Sequence, residues 1–282
     1  VGHRGPSLRL GDLLGRLGLR RRPKVRAESG SAPVGRPTPR FATDALWGEG
    51  FASPGGREFV RAIARGLGLS PGMHVAEIES GRGGAGCVLA QDIDGVRVTA
   101  FARSAEDAAA ARELSLRLNV ADRLTTATYD PAAPVLPAEA FDHVLAKDGV
   151  PLDPKLLAAL HVALKPKGRL RISQLVANGG GFDASARDIL PASCAASVPS
   201  LAALKTNLET SGFSIVEDEA TSEAFTREIR RGWARFAEAL NRDPRGWGDL
   251  RAILAACERW VRISKDLQAG NLEHHTITAE RV

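Results

Sequence analysis

Val75-Ala76-Glu77-Ile78-Glu79-Ser80-Gly81-Arg82-Gly83-Gly84 is the stretch that decides the fold of this 282-residue chain. His74–Ile78 reads as a short buried strand, the glycines that follow make a tight turn, and Ala85–Gln91 begins a helix. At such a junction small residues let the backbone approach a ligand, and the helix start offers N–H groups to an anion or nucleotide. A tight βα turn also needs glycine for packing alone, so the pattern by itself leaves both readings open.

Outward from this turn, strands and helices alternate. Residues 57–67 read as a helix before it, and Ser70-Pro71-Gly72 as a turn. After it come a strand at Val96–Phe101, a helix at Ala105–Leu118, and Thr-rich and apolar strands at Leu124–Thr128 and Phe141–Ala146. A helix at Pro154–Leu164, a Pro166-Lys167-Gly168 turn and a strand at Arg169–Leu175 complete the series. The repeated βαβ pattern predicts an α/β fold, a Rossmann-like doubly wound sheet of seven mostly parallel strands. Right-handed crossovers then set the strand ends along one cleft. Past residue 176 the pattern loosens into an Asn178-Gly179-Gly180-Gly181 loop, a helix at Leu201–Thr210 and a strand at Gly212–Val216. Helices at about 222–240 and 248–267 follow, then an alternating strand, Leu272–Ala279, expected to be antiparallel. The stretch of about 177–268 is read as a helical cap insertion that covers the cleft.

Composition bounds the function. Hydrophobic residues are 44% and charged ones 25%, as in an ordinary globular protein. No apolar run reaches the roughly 20 residues of a membrane span, and no secretory signal opens the chain. Cys87, Cys194 and Cys257 lie far apart, without metal-ligand or disulfide spacing, so a cytoplasmic setting is expected. The net charge of +5 belongs to the first 40 residues, which hold ten Lys/Arg against two Asp/Glu; the rest has 28 basic and 31 acidic residues. A folded part that is slightly acidic argues against a nucleic-acid partner. Residues 1–44 read as a basic leader and linker, and 45–282 as the folded domain. Within the leader, Leu10, Leu13, Leu14 and Leu17 at helical spacing precede Arg20-Arg21-Arg22. Residues 8–26 therefore suit peripheral membrane or protein docking, the alternative being a solvated tail. The chain opens on Val1, as a trimmed start would. No internal repeat is found.

On these residues the chain resembles the class I S-adenosylmethionine (SAM)-dependent methyltransferases. The strand and turn from Val75 to Gly84 are similar to that family's first motif, and Leu164-Lys165-Pro166-Lys167-Gly168-Arg169-Leu170 to its turn before the fifth strand. Trp47-Gly48-Glu49-Gly50-Phe51-Ala52-Ser53-Pro54-Gly55-Gly56 is similar to the lead-in of the branch acting on small molecules. The resemblance implies SAM as cofactor and a small-molecule methyl acceptor. It places Trp47, Phe51 and Ser53 over the methionine end, with Glu77, Glu79, Ser80, Gly81 and Gly83 around the methionine moiety. It places Ala102 and Arg103 at the ribose and Tyr129 and Asp130 at the adenine. Lys147 and Asp148, after the fourth strand, stand where catalytic or substrate-orienting residues are found.

Two positions depart from the family pattern. Glu79 fills the first glycine position and brings a charge towards the ligand's carboxylate. Ala102 stands where an acid would grip the ribose, a loss of about 1.5–3 kcal/mol. Arg103 cannot accept from hydroxyls, though it could meet a phosphate of a different nucleotide. The chain is thus read as a SAM-dependent small-molecule methyltransferase, or alternatively as an inactive scaffold or binding module on that fold. No metal is expected: His74, His143 and His161 read as structural, and His274 and His275 point to opposite faces of their strand. Trp233, Trp247, Trp260 and Phe236 read as the core of the cap helices, with a pocket lining as the other option.

Overall fold

The computed structural model describes residues 39–178, 198–242 and 250–282. The docking segment 8–26, the linker, most of the glycine loop after Asn178, Cys194 and Trp247 lie outside the described residues. In chain order the elements are α1 (Pro39–Trp47), α2 (Gly56–Arg65), β1 (His74–Ile78), α3 (Gly84–Asp92), β2 (Arg97–Ala102), α4 (Ala105–Arg117) and β3 (Leu124–Thr128). Then follow β4 (Phe141–Lys147), α5 (Pro154–Ala163), β5 (Leu164–Ala177), α6 (Leu201–Thr210), β6 (Phe213–Ala220), α7 (Ser222–Arg242), α8 (Leu250–Ala269) and β7 (Leu272–Arg281). Among the described residues no helix is long and apolar enough to cross a membrane.

The seven strands form one sheet in the order β3-β2-β1-β4-β5-β7-β6. All neighbours up to β5 pair in parallel, and β7 enters antiparallel between β5 and β6. The expected mixed sheet is therefore present. Its central strands read as continuous apolar runs because helices cover both faces: β1 is buried from Val75 to Ile78 and β4 from His143 to Lys147. One layer packs α2 and α3, through Val60, Ile63 and Val88, with the cap helices; the other packs α5 and α6 through Leu157, Leu160 and Leu204.

Local chemistry fixes the helix starts. Ser104 accepts from the Asp107 amide at 3.0 Å and Asp153 from that of Leu156 at 2.9 Å, each satisfying a donor of the first turn. Pro154 then occupies a first-turn position where its missing N–H costs nothing.

Two elements run longer than the sequence suggests. β5 begins at Leu164, so Pro166-Lys167-Gly168 is a kink within the strand, with Lys167 at a φ of 63° and the β4 register shifting from Phe141↔Leu164 to His143↔Arg169. The β-bulge leaves the proline without a ladder donor to supply. β6 continues through Glu217-Asp218-Glu219, an acidic run without an apolar signal. Arg171 holds Glu217, and Lys205 and His275 hold Asp218.

The stretch 177–268 comprises two parts. α6 and β6 belong to the sheet and its covering layer, while α7 and α8 connect β6 to β7. α7 meets α1 at Gly232, where an added Cβ would lie 2.1 Å from the Trp47 ring. That ring packs edge-on against Trp260 of α8, centroids 5.2 Å apart. Trp47 and Trp260 thus join the lead-in to the cap.

Candidate functional site

At the carboxyl ends of β2, β1, β4 and β5 lies a cavity of about 320 Å³. The strand order reverses between β1 and β4, and the crevice of a doubly wound sheet forms at such a switch point. Three strand spacings separate β2 from β5, so its two ends stand roughly 14 Å apart. The Glu79-Ser80-Gly81 turn and Arg103 wall one end, and Lys147, Asp148 and Gln174 the other. Phe51, Ala52 and Ser53 of the lead-in lie alongside, with Phe225 of α7 and Trp260 of α8.

The lead-in is seated on the glycine turn by backbone contact. The Gly84 amide donates to the Gly50 carbonyl at 3.2 Å, and a Cβ on Gly84 would sit 2.8 Å from the Gly50 carbonyl carbon. Arg82 adds an ion pair to Asp44. Under the turn, the buried Glu77 carboxylate accepts from the Gly86 amide at 2.8 Å. No side chain beyond glycine fits there, since a Cβ would lie 2.6 Å from that oxygen. Two N–H groups at the start of α3 are therefore engaged within the protein and are not free for an anion. Burial pushes the Glu77 carboxyl up to about 8, against the opposing pull of the Gly86 amide and the Lys147 cation.

Glu79 has a φ of 57°, the left-handed conformation that favours glycine. Its carboxylate accepts from Arg103 Nε at 2.6 Å and from the Tyr129 hydroxyl. The added negative charge is thus neutralised by the cation that follows the missing ribose acid. The first departure, Glu79, is paired with the residue that follows the second, Ala102. Ser80 beside them is buried, and its hydroxyl has no partner.

At the β4 end, Lys147 Nζ donates to the Pro54 carbonyl at 3.0 Å and also meets Ser53 and Asp148. Ser53 Oγ donates to Asp148 at 2.8 Å, and His274 Nε2 lies 3.3 Å from its other oxygen. Burial alone would raise the Asp148 pKa, yet Lys147 and His274 hold it at about 2. Burial lowers that of His274, and the bond to Asp148 offsets this only in part. The imidazole stacks on Phe225, centroids 4.1 Å apart, and its Nδ1 meets Thr221 Oγ1 at 2.7 Å. Asp148 is itself left-handed, with a φ of 42°. A non-glycine residue held so by burial and three polar side chains is a fixed, committed group. Gln174, 5% exposed, contributes an amide whose Oε1 has no partner. A buried polar atom left unpaired costs about 1–3 kcal/mol.

Of the residues singled out from sequence, Phe51, Ser53, Glu77, Glu79, Ser80, Gly81, Arg103, Lys147 and Asp148 line one cavity. Five do not line it. Trp47 is core between α7 and α8, and Gly83 caps α3 against Ala111. Ala102 is fully buried, and Tyr129 reaches the cleft through Glu79 and Arg103. Asp130 is exposed and closes a turn by accepting from the Ala132 amide at 2.9 Å, as an acid before proline commonly does. Sequence reasoning missed Gln174, Asp107, Phe225 and His274. A lone amide late in the apolar run of β5 was the available signal for Gln174. Nothing in the sequence pairs His274 with Asp148.

No protein-family model matches the chain, and no curated protein matches it. Solved structures do. A phosphoethanolamine N-methyltransferase of Haemonchus contortus, in complex with SAM, superposes with a TM-score of 0.73 at 23% identity, over 86% of this chain. The chain spans 56% of that enzyme's length. The [4+2]-cyclase SpnF matches at a TM-score of 0.65 and 19% identity, over 85% of this chain and 91% of its own. The geranyl diphosphate C-methyltransferase of Streptomyces coelicolor A3(2) matches at 0.60 and 15% identity, over 79% of each chain. These likenesses show that the chain has the class I SAM-dependent methyltransferase fold.

Proposed function

We propose that this chain is a SAM-dependent methyltransferase of small molecules, working at the β1–β4 cleft. The observation that carries the reading is the glycine turn at the switch point, where Ser80 lines a cavity of ligand size and its buried hydroxyl has no partner among the described residues. The residues present fit the cofactor at this end. Ser80 has hydrogen-bonding capacity to spare, and Glu79 carries its charge already balanced by Arg103. Glu77, mostly protonated near neutral pH, suits an incoming ammonium, which would draw its proton off.

When bound, SAM supplies a methyl group already activated on a sulfonium. The protein's part is alignment and exclusion of water. Phe51, Phe225 and Trp260 make the apolar wall, and the Lys147–Asp148 pair holds Ser53 and the lead-in in place. The ligands of the structural neighbours belong to those enzymes, and the cyclase among them shows that one fold hosts different chemistry.

A second reading, a binding or scaffold protein, is favoured by Ala102 and Asp130, which leave the nucleoside end without either expected carboxylate. Equilibrium dialysis with labelled SAM separates the two. Wild type should retain the label, and Ser80→Val should bind it at least tenfold more weakly, about 1.4 kcal/mol. No retention by wild type would overturn the enzyme reading, and equal retention by both would remove Ser80 from the site. We further propose that the enzyme domain spans 45–282 and works in the cytoplasm, and that residues 8–26 dock it on a membrane surface or protein.

A further inference from the structure

The β5 end of the cavity differs chemically from the glycine-turn end. Its charged groups, Lys147 and Asp148, are bonded to each other and to Ser53. The nearest other cation on the cavity wall, Arg103, is bound to Glu79 at the β2 end. Among the described residues no free charge remains at the β5 end to hold a phosphate or an ammonium. The rest of this end is apolar, from Leu175, Val198, Phe225 and Trp260. Among the described residues the buried polar atom left without a partner at this end is Oε1 of Gln174.

Buried amides are rarely left unpaired in folded proteins, and an unpaired one in a cavity wall marks a missing ligand atom. Gln174 Nε2, which donates, has no partner among the described residues either, so that atom belongs to a hydroxyl or an amine that can meet the amide from either side. We infer that Gln174 selects the methyl acceptor: a neutral, largely apolar small molecule bearing one O–H or N–H that hydrogen-bonds the Gln174 amide, and carrying no phosphate. This inference rests on the cleft being the methyltransferase site proposed above. It separates this chain from the structural neighbours that bind phosphorylated ligands, phosphomonomethylethanolamine and geranyl diphosphate.

Three naphthalene probes test it: 2-naphthol with a donor, 2-methylnaphthalene as its isostere without one, and 2-naphthyl phosphate with the anion. Calorimetry uses the full chain saturated with S-adenosylhomocysteine. Wild type should bind 2-naphthol at least tenfold more tightly than 2-methylnaphthalene, and the phosphate no more tightly than the hydrocarbon. In Gln174→Leu the naphthol preference should shrink to within threefold while the S-adenosylhomocysteine affinity stays unchanged. Gln174→Met should behave alike should the leucine variant fold poorly. Equal binding of naphthol and hydrocarbon by wild type, a preference surviving both substitutions, tightest binding of the phosphate, or no binding of any probe would each overturn the inference. Should S-adenosylhomocysteine itself not bind, the cofactor reading fails. The same probe series on the unloaded chain then tests Gln174 alone, with the same preference expected.

Discussion

Replacing Glu77 by Gln should make the protein's stability less dependent on pH, with a calculable size. In the fold the Glu77 carboxyl is fully buried, accepts one backbone N–H from Gly86, and is pushed from an ordinary 4.5 to about 8. Between these values the folded chain binds a proton that the unfolded chain has lost. Stability therefore falls as pH rises across that window, by ~1.4 kcal/mol for each pH unit. By pH 7 the cost is about 3 kcal/mol relative to pH 4.5. Glutamine keeps an acceptor for Gly86 and removes the titration. The half-buried His74 and the buried His143 and His274, whose pKa values are lowered, act with the opposite sign as pH falls. They are common to both proteins and cancel in the difference. Urea unfolding at pH 5, 6, 7 and 8 measures it. The variant should gain on wild type steadily with pH, reaching about 3 kcal/mol or more by pH 8. Parallel curves would show that Glu77 is ionised throughout and that its burial carries no such penalty.

Three other substitutions probe the same cleft. Asp148→Asn strips the buried Lys147 of its counter-charge and should cost about 3 kcal/mol in denaturant unfolding at pH 7, a loss below about 1 kcal/mol refuting the ion pair's role. Because Asp148 is held at about 2 against 3.8 unfolded, wild type should also lose stability as pH falls from 3.8 towards 2, and the variant should lack that limb. Gly86→Ala drives a Cβ to 2.6 Å from Glu77 and 3.0 Å from Leu124, and should lower the melting temperature through a loss of about 1–3 kcal/mol. An unchanged Tm would contradict the packing described. Glu79→Gly relieves a left-handed φ while freeing a half-exposed Arg103, so the two effects should cancel to within about 1 kcal/mol. A loss beyond 3 kcal/mol would mean that Glu79 is structural rather than a compensated intrusion.

Much of the fold was legible because its signals are local. Apolar strands, glycine turns and capping residues such as Ser104 and Asp153 act over a few residues, and β1 and β3 have the bounds their pattern suggests. β6 was cut short in sequence because its acidic half is held by residues distant in the chain, Arg171 and Lys205. The site was legible only in part. Strand ends located Glu77, Ser80 and Lys147, but where a side chain turns depends on partners. Tyr129 turns to Glu79, Asp130 turns outward, and Trp47 turns into the cap. Glu79 reads as a defect alone, and only its contact with Arg103 makes a neutral pair. His274 reaches Asp148 from β7, a strand 126 residues later in sequence, and no spacing rule spans that distance.

The most direct test of the cofactor reading is isothermal titration of the full chain with S-adenosylhomocysteine near pH 7.5. The cleft described here predicts one site per chain with a Kd on the order of 10–100 µM, weakened by Ala102 yet measurable. No heat of binding at millimolar ligand, with the chain folded, would contradict it.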